Sequence, residues 1–129
     1  ANSKEIIIWG SGKVKREFLF VDDMAEACIF IMNLSQSSYL KATKPQESHI
    51  NIGSGDDITI KDLSFLIAKI VDFKGEIKFD ISKPEGPPRK LMDSSLISGL
   101  GWRSKICLEE GIGLTYNYFL KNKDNIRVT

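Results

Sequence analysis

Cysteine and histidine are scarce in this chain of 129 residues: there are two of the first and one of the second. Cys28 and Cys107 form no Cys-x-x-Cys pair, and His49 stands alone, so a zinc site is not expected. So few thiols cannot staple a secreted scaffold, and a reducing, cytoplasmic compartment is the expected setting. Long apolar runs are missing too. No stretch approaches the ~18 residues that cross a bilayer, and no secretory leader is expected. A charge excess is also lacking. Eighteen basic residues face seventeen acidic ones, which leaves a net charge of +1 and makes electrostatic nucleic-acid binding an unpromising role. The first residue is Ala rather than Met, as expected of a processed chain or a piece of a longer one.

What is present is ordinary globular material. The chain is 42% hydrophobic and 27% charged, enough for a packed core. Its length suggests one domain spanning residues 1–129. Ile6–Trp9 reads as a short buried strand closed by Gly10-Ser11-Gly12. Asp22 or Asp23 is placed to cap a helix running to about Leu34. That helix carries Met24, Ala25, Ala27, Cys28, Ile29, Phe30, Ile31, Met32 and Leu34 and has almost no polar face. A helix apolar all round needs cover on every side, so a partner surface is expected. Cys28 reads as helix packing.

Residues 35–48 read as a polar loop. His49–Ile52 reads as a strand with a structural histidine, ending at Gly53 and Gly55 in positive-φ turns. Thr59 caps an amphipathic helix, with Asp62 three residues on as in a capping box. Residues 76–81 alternate as a strand. "SKPEGPPRK" is a stiff loop holding three of the four prolines. A short helix follows from Ser94 or Ser95 to Gly99 or Gly101, then Trp102. The last helix runs from about Leu108 to Lys121, with Ile112, Thr115, Tyr116, Phe119 and Leu120 inward. Alternating strands and helices make the class α/β. The strands are few, which suggests a small lobe plus edge elements of a larger sheet.

Neither Gly-Ser-Gly turn completes the GxGxxG needed to cradle a dinucleotide: the third positions are Lys15 and Ile58. Asp56-Asp57 would also repel a phosphate. A P-loop fails, and no Tyr has a Lys four residues beyond it. Two basic loops remain. One carries Trp9, Lys13, Lys15 and Arg16; the other carries Arg89 and Lys90 behind Pro87-Pro88. Arg can clamp a phosphate with paired hydrogen bonds, Lys can neutralise it, and a Trp face can stack on a base or sugar. Brought together, the loops would bind a pyrophosphate. Alternatively Trp9 is core and the cations are solvated. Composition does not separate the two.

"WGSGKVKREFLFVDDMAEA", "HINIGSGDDITIKDLSFLIAKIVDFKGEIKFDISKPEGPPRKLMDSSLISGLGW" and "LEEGIGLTYNYFL" resemble, in order and spacing, the C-terminal part of the GDP-L-fucose synthase family. These are extended short-chain dehydrogenases/reductases. The REF-x-x-VDD element is shared by many nucleotide-sugar epimerases and dehydratases; "KPEGPPRKLMD" with "LGW" points to the narrower branch. The resemblance implies an enzyme that epimerises GDP-4-keto-6-deoxy-D-mannose at two carbons and reduces its ketone with NADPH. It implies that NADP(H) and the catalytic side chains sit on an N-terminal Rossmann domain outside this stretch. No cofactor is then expected on this chain, which alone would be silent.

By the same resemblance, Trp9, Arg16 and Lys90 match substrate-contacting positions, and Glu85 matches an acidic position that accepts hydrogen bonds from the nucleotide. Phe20 stands where many relatives have His or Tyr, Pro87 replaces a common Thr, and Lys13 and Lys15 lie outside the shared motif. These departures bear on the sugar more than on GDP. The competing readings are a UDP- or dTDP-sugar epimerase or dehydratase, and a stand-alone nucleotide-sugar binding module. A homodimer, or other self-association through residues 24–34, is the expected partner state.

Overall fold

The computed structural model describes residues 4–125. Along the chain lie β1 (Glu5–Trp9), β2 (Lys15–Glu17), α1 (Val21–Met32), α2 (Gln36–Ala42) and β3 (Asp57–Thr59). Then follow α3 (Ile60–Ile70), β4 (Glu76–Asp80), β5 (Arg89–Lys90), α4 (Ser95–Gly99) and α5 (Leu108–Asn122). The α/β class expected from the sequence is observed.

Two small sheets organise the chain. β1 and β4 pair in parallel, Glu5 opposite Glu76 through Trp9 opposite Asp80. The pairing is extended at both ends, by Glu76 N–H to the Lys4 carbonyl at 2.9 Å and Gly10 N–H to the Asp80 carbonyl at 2.8 Å. The turn into β4 needs Gly75, because a Cβ there would sit 2.6 Å from the Lys4 carbonyl oxygen. The second sheet has the order β3-β2-β5, with β2 antiparallel to β3 and parallel to β5.

The helices follow from local chemistry, with corrections to the sequence reading. Thr59 caps α3 as expected, its Oγ1 accepting from Asp62 N–H at 3.0 Å. The reciprocal arm differs: the Thr59 hydroxyl donates to the Asp62 carboxylate at 2.5 Å. α3 packs on α5. Asp22 and Asp23 do not cap α1. The helix begins at Val21 with Phe20 as N-cap, which puts both aspartates inside the first turn. Asp23 is buried, 2% exposed, and its Oδ2 accepts from the backbone N–H groups of Lys105 and Ile106 at 3.1 and 3.0 Å. It ties α1 to the segment ahead of α5.

Residues 36–42 form α2 rather than loop, because Ser35 accepts from Ser38 N–H at 3.1 Å and starts a turn. His49–Ile52 is extended but pairs with no strand among the described residues, and His49 is exposed. Ile50 and Ile52 pack instead against a core of Ala27, Ile97 and Trp102, together with Leu19, Phe30 and Ile31. Gly55 has positive φ, at 86°; Gly53 does not. Gly53 is needed for space, since a Cβ would meet the Glu17 carboxylate at 2.5 Å. Cys28 is exposed rather than packed.

The outside of α1 is bare: Val21, Met24, Ile29 and Met32 are exposed, Met32 by 83%. The chain exposes 9685 Å², against about 6,900 Å² for a compact monomer of its mass. No helix among the described residues is long and apolar enough to cross a membrane.

Candidate functional site

The two basic loops meet. Residues 9–16 leave β1 and enter β2; residues 81–90 leave β4 and enter β5. Because β1 pairs with β4 and β2 with β5, both ends of each loop are fixed beside both ends of the other. Contacts run along the seam. Lys83 Nζ stands 5.6 Å from the centre of the Trp9 ring, a cation–π geometry. Ser11 N–H donates to Glu85 Oε1. Lys15 N–H donates to the Pro88 carbonyl at 2.8 Å. Arg16 Nη1 donates to the carbonyls of Lys15 at 2.6 Å and Pro87 at 2.9 Å.

Strand register sorts the cations. Lys15 lies opposite Arg89, and Arg16 opposite Lys90. Neighbouring residues of a strand point to opposite faces, so Arg16 and Lys90 share one face and Lys15 and Arg89 the other. Asp57 neutralises the second pair: Lys15 Nζ is 3.5 Å from its carboxylate, and Arg89 Nε donates to it. Among the described residues, neither Arg16 nor Lys90 has an ion-pair partner. They form a two-cation face with its charge unspent. Trp9 is 69% exposed and is not core.

Glu85 lies between the loops. Hydrogen bonding from Ser11, aided by nearby Lys13, holds its carboxyl below its ordinary value of 4.5. One of its oxygens is therefore taken by the protein.

Glu17 is a site residue the sequence reading passed over. Its Oε1 accepts from Gly55 N–H at 2.7 Å and Ser54 Oγ at 3.3 Å, and its Oε2 accepts from Met92 N–H at 2.9 Å. It ties β2 to the turn before β3 and to the segment after β5. Its place next to Arg16 in the REF element was the available signal. Asp57 was read as a carboxylate that would repel phosphate; it is instead spent on two cations.

The Gly-Ser-Gly turns do not fit a dinucleotide pyrophosphate. The Glu85 carboxylate lies over Gly10, the Glu17 carboxylate over Gly53, and the Phe79 ring fills the Cβ position of Gly12 at 2.5 Å. Two carboxylates and a ring occupy the space phosphates would need. A cleft of about 640 Å³ elsewhere is walled by apolar side chains of the 18–21 segment, α3 and α5, including Leu63, Ile67, Ile112 and Phe119. None of the four candidate residues lines it.

Residues 1–53 match the family model described as the NAD dependent epimerase/dehydratase family. The chain is also similar to GDP-L-fucose synthases. It is 49% identical over 126 residues to GDP-L-fucose synthase of Escherichia coli (strain K12), which covers 98% of this chain and 39% of that protein. Among solved structures, a GDP-6-OMe-4-keto-L-xylo-heptose reductase from C. jejuni shares 40% identity at a TM-score of 0.83. That match covers 92% of this chain and 34% of the other. A GDP-L-fucose synthetase from Naegleria fowleri bound to NADP shares 25% identity at a TM-score of 0.80, covering 96% and 37%. The chain thus spans between a third and two-fifths of the length of these relatives.

Proposed function

We propose that this chain is the C-terminal, substrate-binding part of a GDP-L-fucose synthase-like NADP-dependent epimerase-reductase, and that Trp9, Arg16, Glu85 and Lys90 hold its GDP-sugar. The observation that carries the reading is the register of Arg16 opposite Lys90, two cations on one face of a strand pair with no ion-pair partner among the described residues. A diphosphate supplies the missing counter-charge. Arg16 uses Nη1 to join its own strand to the Pro87 loop and keeps Nη2 and Nε for phosphate oxygens. Lys90 neutralises the same group as a point charge. The Trp9 face away from Lys83 stacks on the base or sugar. The second carboxylate oxygen of Glu85 accepts from a base or sugar donor, while its first keeps the two loops joined.

NADP(H) is bound in this reading by a region of the parent enzyme outside this chain, since both Gly-Ser-Gly turns here are covered by other groups. The side chains that move hydride and protons lie on the same outside region. The chain alone therefore oxidises no NADPH when given the keto sugar, and steady turnover by the pure chain would sink that part of the reading. The similarity to a heptose reductase favours a second reading, in which the same face holds a different GDP-linked keto sugar.

The direct test is a nuclear magnetic resonance titration of the labelled chain. GDP should shift the Trp9 indole signal and the amides of β2 and β5, and UDP should shift them less. Shifts confined to other regions, or equal for both nucleotides, would contradict the proposal. A UDP preference would favour a UDP-sugar enzyme. Binding with no catalytic region encoded upstream in the same reading frame would favour a stand-alone module.

A further inference from the structure

We propose that Asp57 is a positioning residue that staples β5 to β3 across β2, and so holds Lys90 in register with Arg16. The inference rests on the reading of that pair as the phosphate-holding cations. Sheet order is β3-β2-β5, so Asp57 and Arg89 sit on the two outer strands. Asp57 is opposite Glu17 on β2. Glu17 is two residues from Lys15, so Asp57 shares a face with Lys15 and Arg89. Arg89 reaches over β2 to bring Nε onto the Asp57 carboxylate, and Lys15 joins from β2 itself at 3.5 Å. One carboxylate, its side chain only 6% exposed, gathers a cation from each of the other two strands.

β5 needs such a tie. It is two residues long, and it follows two prolines that can donate no ladder hydrogen bond. Lys15 N–H to the Pro88 carbonyl, Arg16 Nη1 to the Pro87 carbonyl and Met92 N–H to Glu17 hold it to β2, and the Asp57 pair adds the tie to β3. The staple fixes Arg89, and because strand neighbours alternate, fixing Arg89 on one face fixes Lys90 on the other. It also commits Arg89 and Lys15 to the face away from Arg16 and Lys90. The Arg89 guanidinium holds the Asp57 carboxyl below its ordinary value of 3.8, which agrees with a firmly made pair.

The role makes a prediction opposite in sign to simple electrostatics. Asp57→Asn removes a negative charge near an anion site, and on charge alone GDP should bind more tightly. If Asp57 positions Lys90, binding weakens on the order of tenfold. Arg89→Ala should weaken it by a similar factor although it removes a cation from the face turned away, and the double variant should be no weaker than either single one. Amide exchange supplies a readout that needs no ligand. The Lys15 amide should exchange faster in both variants, while amides of β1 and β4 keep their protection. Unchanged or tighter GDP binding in Asp57→Asn, with Lys15 still protected, would overturn the inference. If Arg16→Ala leaves GDP binding intact, the phosphate reading fails, and Lys15 exchange alone decides whether Asp57 holds β5.

Discussion

At the scale of single residues, the chain mixes positions whose role follows from chemistry alone with positions whose role depends on distant neighbours. Composition left Arg16 and Lys90 level with the other cations of their loops; the family resemblance singled them out, and the register now puts them opposite each other. Trp9 was ambiguous, and its exposure removes the core alternative. Glu17 and Asp57 were not legible as ties. Their donors lie 37 to 75 residues away for Glu17 and 32 away for Arg89, and no local pattern records such distances. Gly75 offers a stability test. Gly75→Ala presses a methyl against the Lys4 carbonyl and should cost about 1–3 kcal/mol, read as a lower urea midpoint at unchanged slope. Glu85 offers a pH test. Its carboxyl is depressed below 4.5 in the joined loops, so the latch is fully made above that value and is lost as pH falls through the depressed one. Trp9 fluorescence should stay level from about pH 7 down to Glu85's ordinary value of 4.5 and change only below it. Glu85→Gln should abolish that acid transition; its persistence would assign the change to another carboxyl.

At the scale of elements, local signals did well for half the elements, periodicity for most and a Ser start with a Gly end for α4. β1, β4, α3, α4 and α5 fall close to where the pattern places them. The failures have several causes. β3 and β5 have three and two residues, too few for any alternation to show. α2 is rich in serine, which reads as loop until Ser35 is seen to cap it. His49–Ile52 has strand composition but no strand beside it, and pairing is a tertiary fact that composition cannot supply. The two aspartates of α1 satisfied a local rule for capping, yet Asp23 turns inward because its acceptors are needed at residues 105 and 106. Asp23→Ala leaves two partly buried N–H groups unpaired and should cost about 1–3 kcal/mol for each. The loss should appear as faster exchange at Lys105 and Ile106. Equal exchange in the variant and the parent would show that water replaces the carboxylate at no cost.

At the scale of the whole molecule, the surface is too large for the mass. The apolar helix read from the sequence does end up uncovered on its outer side, where Val21, Ile29 and Met32 are exposed. The β1–β4 sheet has two parallel strands, with Ile6 and Ile7 exposed, whereas parallel sheets are as a rule covered on both faces. Apolar surface of this extent seeks cover, from a second copy of the chain or, on the proposed reading, from a further region of a longer protein. Light scattering should therefore show mass rising with concentration for the chain alone, and Met32→Lys with Ile29→Lys should reduce the rise. A monomer at every concentration would contradict this account of the bare face. The central claim concerns the loops, and calorimetric titration with GDP tests it most directly, on the chain and on Arg16→Ala and Lys90→Ala, with UDP as control. The account predicts GDP-selective binding that drops about tenfold or more in each variant, as expected for loss of a charge-assisted hydrogen bond. Binding that is indifferent to both substitutions, or no binding at millimolar GDP, would contradict it.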